Sequence, residues 1–382
     1  MTAPRADAPQ TTAADRAAQT TPLACRDCLR RAALLELLSE RLEYVGRDPH
    51  HLVSLLELAD AELLQAVGQP DLARLQARYD SIDTTQPPPA GVQRICHHHS
   101  RYPAALLQGP GAPRLLHVAG GIERLGELLR EPAVAIVGSR AASDYGLEVA
   151  HGLAASLAAS GVTVIAGLAD GIAAAAHTGA LDAGGPTLTV MAGGVDVPRP
   201  ASRRALHRRL LHTGCALAEL PCGKGPGGWY GAARSRIVVA LAQLVIVVEA
   251  RERPGDLVAA QLARATGRTL AAVPGWVSSP LAHGPHALLR DGALLVRDAQ
   301  DALDALYGVG KRRVVCPSPG DADDELDPGL RAVLDRVGAG QDTLGKLLAA
   351  DAGRQTTLLA LARLELGGYL VRGDGGRYLP RV

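Results

Sequence analysis

The sequence predicts an α/β fold with an extended, doubly wound parallel sheet, and two observations support this prediction. Short β-branched runs recur between residues 92 and 308, and each is almost continuously apolar, as strands covered on both faces are. Alanine-rich helical patterns alternate with these runs, which is the arrangement of a Rossmann-like sheet. The runs are AVAIVG (133–138), VTVIAG (162–167), TLTVMAGG (187–194), QLVIVVEA (243–250) and TLAAVPG (269–275).

The chain of 382 residues is long enough for more than one domain. Residues 1–22 are rich in Thr, Ala and Pro and predict a disordered tail. Leucines three and four apart predict an N-terminal helical, SAM/HhH-like domain at 23–86, ahead of the Rossmann-like domain at 92–308. A charged, proline-rich linker at 309–327 leads to residues 328–382, where three helices and a hairpin predict a winged-helix-like domain.

Composition narrows the class of protein. The formal net charge is +1, so any nucleic-acid site must be a local patch rather than a polybasic chain. The six cysteines are scattered, which indicates a reducing compartment. The most apolar segment, RIVVALAQLVIVVEA, is too short to cross a bilayer. We therefore expect a cytoplasmic protein without a membrane span.

Glycine-rich loops follow four of the predicted strands. Ligands of parallel sheets bind beyond the carboxyl ends of the strands, where helix N-termini offer free N–H groups. Arginines accompany the glycines, and four such loops at one edge predict a groove for an extended anion rather than a compact one. The loops are Gly138-Ser139-Arg140, AGLADGIAAAAH (166–177), AGGVDVPRP (192–200) and LPCGKGPGGWYGAARSR (220–236).

The segment from Arg199 to His212 is strongly basic, with five arginines and no acid. Helical spacing places Arg204 and Arg208 opposite Leu206, so both point to solvent. Such a helix is either a solvated face or an extension of the anion groove, and the sequence leaves both interpretations open.

Six segments between residues 137 and 293 match one known family in the same order. They are VGSRAASDYG, AGLADGIAAAAHTGAL, AELPCGKGPGG, GAARSRIVVAL, VVEA with PGDLVAA, and VPG with GPHALLRDGA. As a set, this order resembles the DprA/Smf family of natural transformation (competence) proteins, whose members often carry a small helical domain in front and a winged-helix-like domain behind.

The resemblance implies a function without catalysis. Family members bind single-stranded DNA, dimerise, and help to load the RecA recombinase onto strands displaced from single-strand-binding protein. Matching positions imply contacts from the glycine-rich loops and from the helix after the fourth loop, and the basic segment would extend the groove. The implied contacts are Gly138, Ser139, Arg140, Gly167, Gly171, Arg199, Arg203, Arg204, Arg208, Arg234 and Arg236.

Several positions depart from the family pattern. Small or differently charged side chains replace the usual Ser, Asp, Tyr, Ser, Asn and Thr, so binding should depend on charge and be strongly salt-sensitive. Few aromatic side chains are available to stack on bases, namely Trp229, Tyr230 and Tyr145. The departures are Ala166, Ala173, Arg199, Ala218, Ser235 and Ala259.

A separate group of residues has the spacing of a metal site. Cys25-x-x-Cys28 precedes the first helix, and Cys96 and His97 follow the proline-rich break, so the four could hold a structural zinc ion. The alternative is a set of reduced, partly buried cysteines.

The sequence also bears on three other functions. A nucleotide N-glycosidic hydrolase could use Glu219 and Glu249 as acids, but the PGG-x-GT-x-x-E loop of that group is incomplete here. A dinucleotide oxidoreductase is disfavoured because the first loop is G-S-R, not G-x-G-x-x-G. A degenerate family member that acts as a protein-docking module remains the main alternative.

Overall fold

The computed structural model describes residues 23–45, 48–227, 229–253, 255–315, 327–349, 353–366, 369–373 and 376–380. The chain divides into two compact units, Met1–Pro317 and Ser318–Val382. The predicted tail at 1–22 and most of the predicted linker lie outside the described residues.

The first unit contains a nine-stranded sheet, in the order β1-β2-β6-β5-β4-β3-β7-β8-β9. The seven strands from β6 to β9 in this order are parallel, and β1 and β2 are antiparallel additions at one edge. The predicted α/β fold is thereby confirmed. The strands are β1 Val92–Cys96, β2 Leu115–Ala119, β3 Ala133–Val137, β4 Thr163–Gly167, β5 Thr187–Val190, β6 Cys215–Ala218, β7 Leu244–Val247, β8 Thr269–Ala272 and β9 Leu294–Leu295.

Helices cover both faces of this sheet, which is why its central strands are apolar throughout. In β3, Ala133 and Ala135 belong to one core and Val134 and Ile136 to the other. The helices of the first unit are α1 Arg26–Leu37, α2 Ser39–Val45, α3 Pro49–Glu57, α4 Asp60–Val67, α5 Leu72–Asp80, α6 Ala104–Leu107, α7 Ile122–Leu128, α8 Asp144–Ala159, α9 Ile172–Asp182, α10 Arg204–Thr213, α11 Tyr230–Leu241, α12 Val258–Ala265, α13 His283–Arg290 and α14 Ala299–Tyr307.

The N-terminal helices pack against the sheet unit. Leucines of α1 to α5 share a core with Trp229, Tyr230 and Ala233, and the Ser39 and Tyr230 hydroxyls lie 2.6 Å apart. The helices therefore rest on the start of α11. The N-terminal helices and α11 belong to the same compact unit of the chain.

The second unit has the predicted three helices followed by an antiparallel hairpin. An isolated bridge joins Thr343, just ahead of the second helix, to Arg377. The unit thus contains the three helices and the hairpin from which the winged helix was predicted, and the winged-helix assignment itself stays a prediction. The elements are α15 Pro328–Gly338, α16 Leu344–Ala349, α17 Arg354–Leu366, β10 Leu370–Arg372 and β11 Tyr378–Pro380.

None of the helices in the described ranges is long and apolar enough to span a membrane.

Candidate anion-binding site

The loop after β3 is held rigidly at the carboxyl edge of the sheet. The Ser139 N–H donates to the Glu249 carbonyl oxygen at 2.6 Å, and the Ile172 N–H donates to the Ser139 carbonyl oxygen at 3.1 Å. Gly171 has φ +70°, and a Cβ there would overlap the Ser139 carbonyl oxygen, so only glycine suits this position. Arg140 follows directly and is exposed.

Gly138 has a packing role in the same loop. A Cβ at position 138 would lie 2.7 Å from both the Glu249 carbonyl oxygen and Cγ1 of Ile172. The two loop glycines thus allow β3, β7 and α9 to approach closely, which is the simpler interpretation of glycine in such loops.

Arg234 reaches the same edge from α11. A Cβ on Gly167 would lie 2.5 Å from the Arg234 Cζ, so the guanidinium lies directly over the end of β4. Burial, together with the charge of Arg140, lowers the pKa of Arg234 to about 10. Among the described residues, no side chain forms a hydrogen bond or ion pair with Arg234.

Arg140 and Arg234 lie close enough for their charges to interact, and no carboxylate in the described part of the chain pairs with either. The Nη2 of Arg140 lies 3.9 Å from where a Cβ on Gly231 would be, so this side chain extends toward the start of α11. Helices α9 and α11 both begin at this edge, and their N-termini add positive potential. A bound anion would relieve the repulsion between the two guanidinium groups.

Arg236 was predicted to line the groove, and this prediction is wrong. Its side chain is buried and donates from Nη2 to both Glu219 carboxylate oxygens, at 2.7 and 2.8 Å. Two residues along α11 place Arg236 about 200° from Arg234 around the helix, so it faces the interior rather than the sheet edge.

Only some of the arginines in the basic segment from Arg199 to His212 lack an ion-pair partner among the described residues. Arg199, Arg204 and Arg208 are exposed, as expected, and have no ion-pair partner in the described part of the chain. Arg203 is different, because its Nε donates to the Asp170 carboxylate at 2.7 Å. It therefore ties the segment to the loop before α9 and offers less free charge than predicted.

Of the three aromatic residues predicted to stack on bases, two are buried and one is partly exposed. Trp229 and Tyr230 are 1% and 6% exposed and anchor the N-terminal helices, so neither is available to a base. Tyr145 is 36% exposed, and its hydroxyl donates to the Pro274 carbonyl oxygen. Trp276, two residues after Pro274, is 74% exposed and lines a shallow pocket together with Tyr145. Trp276 was not among the predicted stacking residues, although its position just after a predicted strand and a Pro-Gly turn indicates an exposed loop at the carboxyl edge.

Glu219 and Glu249, the two possible acids of a hydrolase, both accept hydrogen bonds within the protein. The Glu249 carboxylate is buried and accepts hydrogen bonds from the Ser143 N–H at 2.9 Å and hydroxyl at 2.5 Å. Glu219 accepts both bonds from Arg236. Each carboxylate therefore has a structural role, as the hydrogen-bond acceptor of Ser143 or of Arg236.

The predicted metal ligands come together with one change. Cys25, Cys28 and Cys96 lie with His98, and their ligand atoms are all within 4.8 Å of one another. His97 was predicted as the fourth ligand, but its neighbour takes that place. The turn after β1 directs the His98 ring toward the sulfurs, and the His97 ring lies tilted against it.

Fold and site define a class: a doubly wound α/β protein with arginines at the carboxyl edge of its sheet that have no ion-pair partner among the residues described. The sequence profile of the family described as DNA recombination-mediator protein A matches residues 93–307. The chain belongs to this family, and the resemblance to DprA/Smf proteins is confirmed.

Relatives and a solved structure agree with this assignment. A Mycobacterium tuberculosis protein that carries the DprA name is 41% identical over 245 residues, which is 64% of this chain and 63% of that protein's length. Protein Smf of Escherichia coli is 34% identical over 294 residues, covering 72% of this chain and 74% of its own. The X-ray structure of DprA from Streptococcus pneumoniae is 30% identical with a TM-score of 0.57, covering 72% of this chain and 95% of that one.

Proposed function

We propose that this chain binds single-stranded DNA along the carboxyl edge of its sheet and acts as a recombination mediator without catalysing a reaction. The observation that carries the proposal is the pair Arg140 and Arg234, neither of which has an ion-pair partner among the described residues. Arg234 lies against Gly167, and the Arg140 side chain extends toward Gly231. Arginine binds phosphate in a planar, bidentate way, and the half-buried Arg234 guanidinium, which no carboxylate of the described residues neutralises, is placed to accept such a ligand.

An extended strand suits this edge better than a single nucleotide. Arg199, Arg204 and Arg208 continue the positive surface beyond the central pair, and all three are exposed. Contacts to phosphate do not depend on base identity, so binding should be independent of sequence. Trp276 offers a base one flat, exposed apolar face near the Arg140 loop.

The non-enzymatic part of the proposal is supported by the two carboxylates. Glu219 and Glu249 are both buried and both accept two hydrogen bonds within the protein. Neither presents an acid or base to the groove. Incubation with AMP should release no adenine, and release that depends on Glu249 would favour the hydrolase instead.

The finer role rests on the family resemblance. We propose a cytoplasmic homodimer that loads RecA recombinase onto DNA held by single-strand-binding protein. In a reaction with DNA coated by single-strand-binding protein, this chain should shorten the lag of RecA ATPase activity. An unchanged lag with intact DNA binding would reject the loading role alone.

The C-terminal unit is proposed to contact protein rather than DNA. The wing cations Arg372 and Arg377 pair with Glu365 and Asp342, and Asp374 lies outside the described residues. Helix α17 exposes Leu358 and Leu359, at 41% and 56%, where a DNA-reading helix would carry polar side chains.

The DNA site is tested by comparing Arg140→Ala with Arg264→Ala. Arg264 is also a partly exposed arginine, but it pairs with Asp291 at the amino edge of the sheet. Fluorescence anisotropy with labelled oligo-dT should show weaker binding for Arg140→Ala and native binding for Arg264→Ala. Equal affinities in both variants would place the DNA elsewhere.

A further inference from the structure

Three sulfur atoms and one imidazole nitrogen converge where the chain enters the sheet. The Nδ1 of His98 lies 3.4 Å from Cys25 Sγ, 3.6 Å from Cys28 Sγ and 4.0 Å from Cys96 Sγ. All four ligand atoms lie within 4.8 Å of one another. No other group of this kind occurs among the residues that the structure describes.

We infer that Cys25, Cys28, Cys96 and His98 bind one zinc ion in a closed, structural site. Zinc bonds of about 2.3 Å to sulfur and about 2.0–2.1 Å to nitrogen make a tetrahedron with edges of roughly 3.5–3.8 Å, close to the distances found here. Thiolate and imidazole are ligands that select zinc over hard cations. Four protein ligands leave no open position, so the ion has no catalytic role.

The local backbone already has the form that such a site needs. Cys25 precedes α1 and Cys28 lies in its first turn, so both thiols face the same side. The Cys96 N–H donates to the Leu23 carbonyl oxygen at 2.8 Å, and the Cys25 N–H donates to Cys96 Sγ at 3.5 Å. The two ends of the site are therefore held together before any metal binds.

The His98 side chain gives the clearest indication of a ligand. It is exposed, yet its Nδ1 is directed at three sulfurs rather than at solvent. Cys28 and Cys96 are 1% and 2% exposed, which suits ligands shielded from competing water. A set of unrelated reduced cysteines gives no reason for this convergence.

The ion would fasten the N-terminal helices to the sheet. Helix α1 contributes Leu34 and Leu35 to the core that also contains Trp229 and Tyr230 at the start of α11. Since α11 also carries Arg234, the metal would stabilise the support of the anion site without touching it. The inference does not rest on the proposed DNA binding and can fail independently of it.

The experiment compares two adjacent histidines in the full-length protein. Native protein, purified in reductant, should contain one zinc per chain by mass spectrometry of the metal. His98→Ala should lose most of it, and His97→Ala should retain it. Cys28→Ser and Cys215→Ser form a second pair, because Cys215 is also a buried free cysteine but lies outside the cluster.

Removal and return of the metal gives a second readout. Chelated native protein should melt at a lower temperature and recover when zinc is added, whereas chelated His98→Ala should not respond. Substitution with cobalt should produce the thiolate charge-transfer absorption. Equal zinc content in His97→Ala and His98→Ala would overturn the inference, and so would native protein that neither contains zinc nor is stabilised by it.

Discussion

Arg234 and Arg236 show how two identical residues on one helix acquire opposite roles. Both were predicted to contact DNA. Arg236 is a buried half of an ion pair with Glu219, whereas Arg234 is pressed against Gly167 with no partner among the described residues. Which of the two is free depends on side-chain contacts across the sheet, and the local sequence ARSR does not encode this difference.

Substitution of Arg234 should weaken DNA binding, whereas substitution of Arg236 should lower the stability of the fold. Arg234→Met removes a cation whose pKa is lowered by burial, so the melting temperature should be equal to native or higher while oligo-dT affinity falls. Arg236→Met leaves Glu219 buried without a partner and should lower the free energy of unfolding by about 3–5 kcal/mol. Urea unfolding and anisotropy measure both effects. A large loss of stability in Arg234→Met would contradict our account of the site.

Trp276 provides a second prediction for a single residue. Trp276→Ala should weaken oligo-dT binding by about 1–3 kcal/mol, the usual value of base stacking, and should leave the salt dependence unchanged because no charge is removed. Val277→Ala is the matched control, since Val277 is 85% exposed in the same loop. If Trp276→Ala binds as native protein does, the exposed tryptophan has another role.

Substitutions on helix α10 test whether the DNA-binding groove extends beyond Arg140 and Arg234. Arg204→Gln with Arg208→Gln should reduce the slope of log affinity against log salt by about 1.4, or roughly 0.7 for each lost phosphate contact. Arg209→Gln is the control on the same helix, because Arg209 already pairs with Asp182 at 2.7 Å. An unchanged slope in the double variant would mean that α10 is a solvated face.

The predicted strands were those whose sequence resembles a buried strand. The runs that became β3, β4, β5, β7 and β8 are apolar and β-branched because helices cover them on both sides. Strands β1, β2, β6 and β9 were missed. Strands β1 and β2 sit at the antiparallel edge, where polar residues such as Gln93 and Arg94 of β1 are tolerated. Strand β6 is the four-residue CALA, which has no β-branched residue, and β9 has only two residues.

Within the site, the loops were predictable and the pairing of charges was not. Strand ends followed by glycine located Gly138, Gly167 and Gly171 correctly at one edge. The ion pair of Arg203 with Asp170 joins residues 33 positions apart, and the His98 contacts span about 70. Such contacts depend on how the whole chain folds, so residue spacing alone could not identify them.

At the scale of the whole molecule, the dense core predicts sensitivity to acid. Burial lowers the pKa of His117 and of His177 to about 4, so both rings are neutral in the folded protein. The unfolded chain binds more protons between about pH 4 and pH 6.5, and stability must therefore fall as the pH drops through this window. Each ring should contribute a loss of about 2 kcal/mol at pH 5 relative to pH 7 or above.

Urea unfolding at pH 7 and pH 5 measures this loss. His177→Gln should show a smaller difference between the two pH values than native protein, and His212→Gln, which replaces an exposed histidine, serves as the control. Identical pH dependence in native protein and His177→Gln would show that the buried ring is not the source.

We propose above all that the carboxyl edge of the sheet holds a single-stranded DNA backbone. The most direct measurement is the affinity of the native protein for labelled oligo-dT and for duplex of the same length, at about 50 and 200 mM salt. We predict tight binding to the single strand, weaker binding to the duplex, and a steep loss of affinity as salt rises. Absence of binding at low salt, or equal binding to both forms, would contradict the account.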